Sequence, residues 1–159
     1  MKHKHNPTDE LILGAGEGRI YKCGTMTAVF KADENETAEK YSISEWWLEP
    51  NSDGPGAHLH EDNDEIFYGL EGTTSILIGD QWVNVEKGTF IRIPAKTLHD
   101  FANRTDHKSG VLNFFIPGGF ENFFTDLGLT NRKQQKSSNE DQVLLHLLEK
   151  KYGGKFVFE

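Results

Sequence analysis

Four side chains able to bind a metal ion lie close together in the middle of the chain. His58 and His60 stand two apart in Gly54-Pro-Gly-Ala-His-Leu-His60, and Glu65 follows after Glu61-Asp-Asn-Asp64. On a strand, residues i and i+2 point to one face, so the two imidazoles can converge on one ion. Glu65 opens the next run and reaches the same point if that run pairs back on the first. Phe67 shares the parity of Glu65 and would line the pocket, while Ile66 and Tyr68 face away. The fourth candidate, His99, follows the turn after Pro94, and Phe101 and Asn103 share its face. Three neutral imidazoles and one carboxylate suit a divalent transition metal such as Fe, Mn, Ni, Co, Cu or Zn. Magnesium and calcium favour a shell of oxygens. Singly, these residues read as surface histidines and an acidic turn; together, at these spacings, they read as a ligand set.

Short runs rich in β-branched and aromatic residues must position them. Thr25 to Lys31, Tyr41 to Glu49, Glu65 to Leu70, Thr73 to Ile78, Gln81 to Val85, Phe90 to Ile93 and Val111 to Ile116 alternate with turn formers. Gly79-Asp80 between two such runs signals a two-residue hairpin. Many short strands at close spacing predict a sandwich or a closed barrel. The pattern changes after Pro117. Phe120, Phe123, Phe124 and Leu127 recur at helical spacing before Gly128, and a second helix is expected from Ser138 to Tyr152, ended by Gly153-Gly154. Strands first and helices last give an all-β barrel with a small C-terminal helical cap.

The remaining composition narrows the function. The chain has 159 residues, one domain's worth, and a formal net charge of −8. An acidic chain without a basic stripe disfavours nucleic acid and anionic membranes. No apolar run is long enough to span a bilayer. Met1 to Glu10 lacks an apolar signal region, and Cys23 has no partner for a disulfide, which suits a cytoplasmic protein. Cys23 reads as a small buried residue. His3, His5 and His146 read as a terminal arm and a helix-surface residue. Asn103 reads as closing a turn, and Trp46 and Trp47, being adjacent, cannot both face inward.

The stretch around His58 resembles the first cupin motif: a glycine-rich lead-in, the paired histidines, Glu65 after four residues and Gly72 after six more. The lead-in departs from the motif, with Ser52 where its glycine stands. The stretch Gly88 to Asn103 resembles the second motif, with Gly88, Pro94, His99 and Asn103 in register and Lys96 replacing a glycine. A glycine there suggests a backbone with positive φ. Met26 to Asp33, Gly118 to Phe124 and Lys150 to Phe156 resemble single-domain cupins described as quercetinase-like.

The resemblance implies a cupin double-stranded β-helix, or jelly roll, as one domain over residues 1–159. Its motif-bearing barrel core spans about 40–117 and its C-terminal helices about 119–152. It implies one divalent metal on His58, His60, Glu65 and His99, a small-molecule substrate and a homodimer. The first expectation for activity is a dioxygenase acting on a flavonol or similar enol, with Glu65 as catalytic base and Phe67 and Phe101 lining the substrate. The alternatives are a non-redox isomerase or lyase, and a metal-stabilised binding protein without turnover.

Overall fold

A computed structural model of the chain describes residues 7–126 and the backbone of 154–156. The strands are β1 (Arg19–Cys23), β2 (Met26–Ala32), β3 (Ser42–Leu48), β4 (His58–His60), β5 (Asp64–Glu71), β6 (Thr73–Ile78), β7 (Gln81–Glu86), β8 (Phe90–Ile93), β9 (His99–Ala102), β10 (Ser109–Ile116) and β11 (Gly154–Phe156). The helices are α1 (Glu34–Thr37) and α2 (Glu121–Asp126).

The strands form two antiparallel sheets. One has the order β1-β2-β3-β10-β5-β8 and the other β11-β4-β9-β6-β7. Alternation decides which face is inward. In β3, Ser42, Ser44, Trp46 and Leu48 are buried and the residues between them are half-buried. In β5, Glu65, Phe67 and Gly69 are buried, while Tyr68 is exposed. Phe30, Trp46, Leu48, Phe67 and Val111 from one sheet meet Ile76, Val85 and Phe101 from the other in a single core. Burial of each such side chain contributes about 1.5–3 kcal/mol. The Gly79-Asp80 hairpin is present, with Ile78 opposite Gln81.

Strand β10 is central, pairing with β3 on one side and β5 on the other. Its register against β5 shifts at Gly110/Val111: Gly110 faces Glu71 and Val111 faces Gly69, which leaves Leu70 without a partner. A Cβ on Gly110 would lie 2.4 Å from the Trp47 ring, so only glycine fits beneath that indole.

Three features differ from the sequence reading. β5 does not pair back on β4. The short turn between them crosses from one sheet to the other, so Glu65 approaches the histidines from across the barrel. β1 was not expected, because two of its five residues are cationic and none of the five is fully buried. Gly154, read as a helix stop, begins β11, which pairs with β4 so that Gly154 faces His60 and Phe156 faces His58. The six-residue α2 confirms a helix after Pro117. Leu127, the expected second helix and His3, His5 and His146 lie outside the described residues.

Candidate metal centre

His58 and His99 stand directly opposite one another on β4 and β9. Their imidazole centroids are 4.4 Å apart. His60, two residues along β4, points to the same face, and Glu65 enters from the opposite sheet at the start of β5. All four are buried, and each offers one ligand atom within 4.8 Å of the others. This brings together the four side chains singled out by spacing.

Backbone carbonyls set the tautomers of two histidines. Nδ1 of His58 lies 2.7 Å from the Gly56 carbonyl and Nδ1 of His99 lies 2.9 Å from that of Thr97. A carbonyl can only accept, so each Nδ1 carries the proton and each Nε2 keeps its lone pair for the interior. The turn that delivers His99 also contacts β4. The Lys96 amide donates to the His60 carbonyl at 2.7 Å, and Lys96 has φ of +66°. The positive φ expected of the motif glycine is therefore present without the glycine.

Asn113, inward on β10, donates from Nδ2 to Oε1 of Glu65 at 2.7 Å. The other oxygen, Oε2, lies 2.7 Å from Nε2 of His99 and 3.5 Å from Nε2 of His60. Among the described residues, both Glu65 Oε2 and His99 Nε2 are buried without a hydrogen-bond partner. Buried polar atoms are rarely left so, because each costs about 1–3 kcal/mol. An ion between the carboxylate and the imidazoles satisfies both atoms at once. The donor set fits a divalent transition metal.

Electrostatics agree with a shared charge at this point. Burial pushes His58 down to about 3, helped by repulsion from His99 and His60, so it is a neutral donor. Burial alone would raise Glu65, but the adjoining imidazoles of His60 and His99 hold it below the usual carboxylate range. Burial would lower His99, and the adjoining Glu65 carboxylate raises it instead.

Phe67 and Phe101 are buried in the core with their ring centroids 5.7 Å apart, and Phe101 also packs against Trp46. Among the described residues, the phenylalanine rings placed against His60 are Phe115, at 4.7 Å and nearly perpendicular, and Phe120, at 6.1 Å. Asn103 closes a turn as expected: its amide nitrogen donates to the carbonyls of Leu48, Glu49 and His107, and its oxygen accepts from Thr105. Trp46 is inward and Trp47 outward on β3. Cys23 is partly buried, which pushes its thiol up to about 11. Sequence reasoning missed Asn113; a polar residue at an inward position among Val111 and Phe115 was the available signal.

Comparison with known proteins accords with this picture. Residues 44–115 match the Cupin domain family. Quercetin 2,3-dioxygenase from Bacillus subtilis (strain 168) is 31% identical over 119 residues, covering 74% of this chain and 34% of that protein. The chain thus spans about a third of the length of that relative. An RmlC-like cupin from Shewanella frigidimarina superposes with a TM-score of 0.59 at 12% identity, covering 71% of this chain and 96% of the other. An oxalate decarboxylase variant from B. subtilis superposes with a TM-score of 0.61 at 18% identity, covering 77% of this chain and 33% of the other. At these identities the structural likeness is one of fold. With both sequence motifs in register on a two-sheet barrel, and with the family match across its centre, this chain belongs to the cupins.

Proposed function

We propose that this chain is a metal-dependent dioxygenase that opens a flavonol or a similar enol-bearing small molecule, with O₂ as oxidant and both oxygen atoms entering the product. One observation carries the metal dependence: buried donors converge from both sheets, and two of their facing atoms have no hydrogen-bond partner among the described residues. The similarity to a quercetin dioxygenase supports the substrate class and the use of O₂.

His58, His60, Glu65 and His99 would hold a divalent ion, which would supply the Lewis acidity that lowers the pKa of a substrate hydroxyl. Glu65 is the base in reach of that hydroxyl. Its Oε2 faces the site and would swing from ligand to proton acceptor, while Asn113 keeps Oε1 in place. The Nδ1–H bonds of His58 and His99 hold both rings in the donor tautomer throughout. Phe67 and Phe101, two residues beyond Glu65 and His99 on the same buried faces, keep the barrel interior near the site apolar.

The test is elemental analysis of protein purified without chelator, followed by oxygen-electrode assays with quercetin. About one metal per chain, loss of metal in His99→Ala and O₂ uptake in step with flavonol loss are expected. Glu65→Gln should lose turnover more than binding, since the amide cannot take the proton. Equal metal in wild type and His99→Ala overturns the ligand assignment. Anaerobic isomerisation or elimination without O₂ uptake moves the chain to a non-redox metalloenzyme, and tight binding without turnover to a binding protein.

A further inference from the structure

Asp33 is a fully buried carboxylate at the end of β2, and the proposed chemistry does not use it. Its oxygens accept from the Ser42 hydroxyl and from the backbone amides of Gly119 and Glu121, each at 2.5 Å. The two amides flank Phe120, so one carboxylate pins the chain on both sides of a single aromatic residue. Glu121 is fixed a second time, accepting at 2.6 Å from both Arg19 Nε and the Tyr21 hydroxyl. The same Arg19 forms a two-pronged pair with Glu36 on α1, 3.0 Å for each bond. A buried polar group is costly unless donors surround it, and three donors meet the Asp33 carboxylate.

The pinned ring joins a ladder that begins at the candidate metal centre. Phe115 packs edge-on to His60. Phe120 stacks on Phe115 at 4.6 Å and 28°, and Phe123 stacks on Phe120 at 5.9 Å and 15°. Phe115 is buried, whereas Phe120 and Phe123 are half-buried, so the near-parallel rings run from a ligand toward solvent. Phe120 also meets Phe30 and Phe124, and Phe120 and Phe123 pack on the outside of the core in which Phe67 and Phe101 are buried.

We infer that Phe120 is a specificity-determining residue and Asp33 its positioning residue: Asp33 holds the Phe120 ring beside His60, where the Phe115–Phe120–Phe123 ladder favours a flat conjugated substrate over a small acyclic one. This rests on the proposed enol-bearing substrate class. A flat ring gains stacking contact along the ladder that an acyclic acid cannot make. Asp33 reaches the substrate only through Phe120.

The test measures binding to the zinc-loaded protein under anaerobic conditions, by titration calorimetry, with quercetin as the flat probe and oxalate as the acyclic one. Wild type should prefer quercetin by about tenfold or more. Phe120→Leu and Asp33→Asn should each lose most of that preference, and the double variant should lose no more than Phe120→Leu alone. A merely structural Asp33 would lower the melting temperature and leave the preference intact. If Asp33→Asn does not fold, Phe120→Leu decides alone. No preference in wild type, or full preference in Phe120→Leu, overturns the inference. Oxygen uptake is read separately: a retained, Phe120-dependent preference without O₂ consumption overturns the dioxygenase reading and leaves this inference standing.

Discussion

The amide of Asn113 and the carboxylate of Glu65 meet across neighbouring strands at 2.7 Å, and this single bond decides which oxygen of Glu65 faces the imidazoles. Asn113 is buried and cannot exchange the bond for water without opening the barrel. Replacing Asn113 with Leu should leave Oε1 without a donor and free the carboxylate to rotate. Partners of this kind commonly change metal affinity by about 10–100-fold. Competition against a chromophoric zinc chelator would measure the change. An affinity within about twofold of wild type would show that β10 contributes no more than packing.

Acid should weaken the metal-free protein through His58. Its folded pKa is held near 3 by burial and by repulsion from His99 and His60, below the 6.5 of an unperturbed histidine. Between those values the unfolded chain binds a proton that the folded chain refuses, so stability falls as pH drops from 6.5 toward 3, by up to about 1.4 kcal/mol per pH unit. Glu65 acts in the same direction: its folded pKa is depressed, and the stability this gives is lost as pH falls below the ordinary carboxylate value. His99 acts oppositely. Its raised pKa gives stability that is full below 6.5 and lost as pH rises through the folded value. Urea denaturation of chelator-treated protein should therefore show decreasing stability from pH 6 to pH 4. A flat or rising profile over that range would refute the neutral buried His58.

Lys96 occupies a left-handed backbone position in the turn that leads into His99. A Cβ there costs about 1–2 kcal/mol, and glycine avoids it while losing more chain entropy on folding. Lys96→Gly should raise stability by about 0.5–1 kcal/mol and leave metal content unchanged, because the bond to the His60 carbonyl comes from the backbone. Thermal denaturation with parallel elemental analysis checks both halves. A destabilised variant would mean that the exposed lysine side chain has a role of its own.

The outer face of the six-stranded sheet leaves Ile20, Tyr68 and Phe90 well exposed. Apolar sheet of this kind is usually covered. A two-fold homodimer through this face is the expected assembly. Light scattering should give about twice the 18.0 kDa chain mass, and Tyr68→Lys should shift it toward the monomer. A wild-type monomer across the micromolar range would dismiss the assembly.

Local pattern made much of this molecule legible. The hairpin at Gly79, the inward parity of Phe67 and the outward parity of Tyr68 follow from two-residue periodicity and turn chemistry. The four candidate ligands were visible because strand parity and fixed spacing place them without knowledge of the sheets. The path of Glu65 was not visible. The residues between His60 and Glu65 specify a turn, but not whether the chain rejoins its own sheet or crosses to the other. The pairing of β11 with β4 was hidden for a related reason: it joins residues more than ninety positions apart, and nothing in Gly154–Phe156 names its partner. Phe115 and Phe120 stood out only as apolar residues, since what distinguishes them is their stacking against each other beside His60.

The irregularity at Gly110 and Val111 has a reach well beyond its own position. β10 is apolar on both sides, with Val111 and Phe115 inward and Leu112, Phe114 and Ile116 outward. A slip of one residue would turn Leu112, Phe114 and Ile116 to the interior, and the barrel would still find a greasy filling. Hydrophobicity is therefore nearly blind to the phase of this strand. What breaks the tie is the bulge that leaves Leu70 unpaired, the glycine that alone fits under Trp47, and the amide of Asn113, which has a use only when it points at Glu65. The strand behaves like a vernier whose zero mark is set at one end and read at the other, where it decides whether the carboxylate is aimed at the three imidazoles or left to wander.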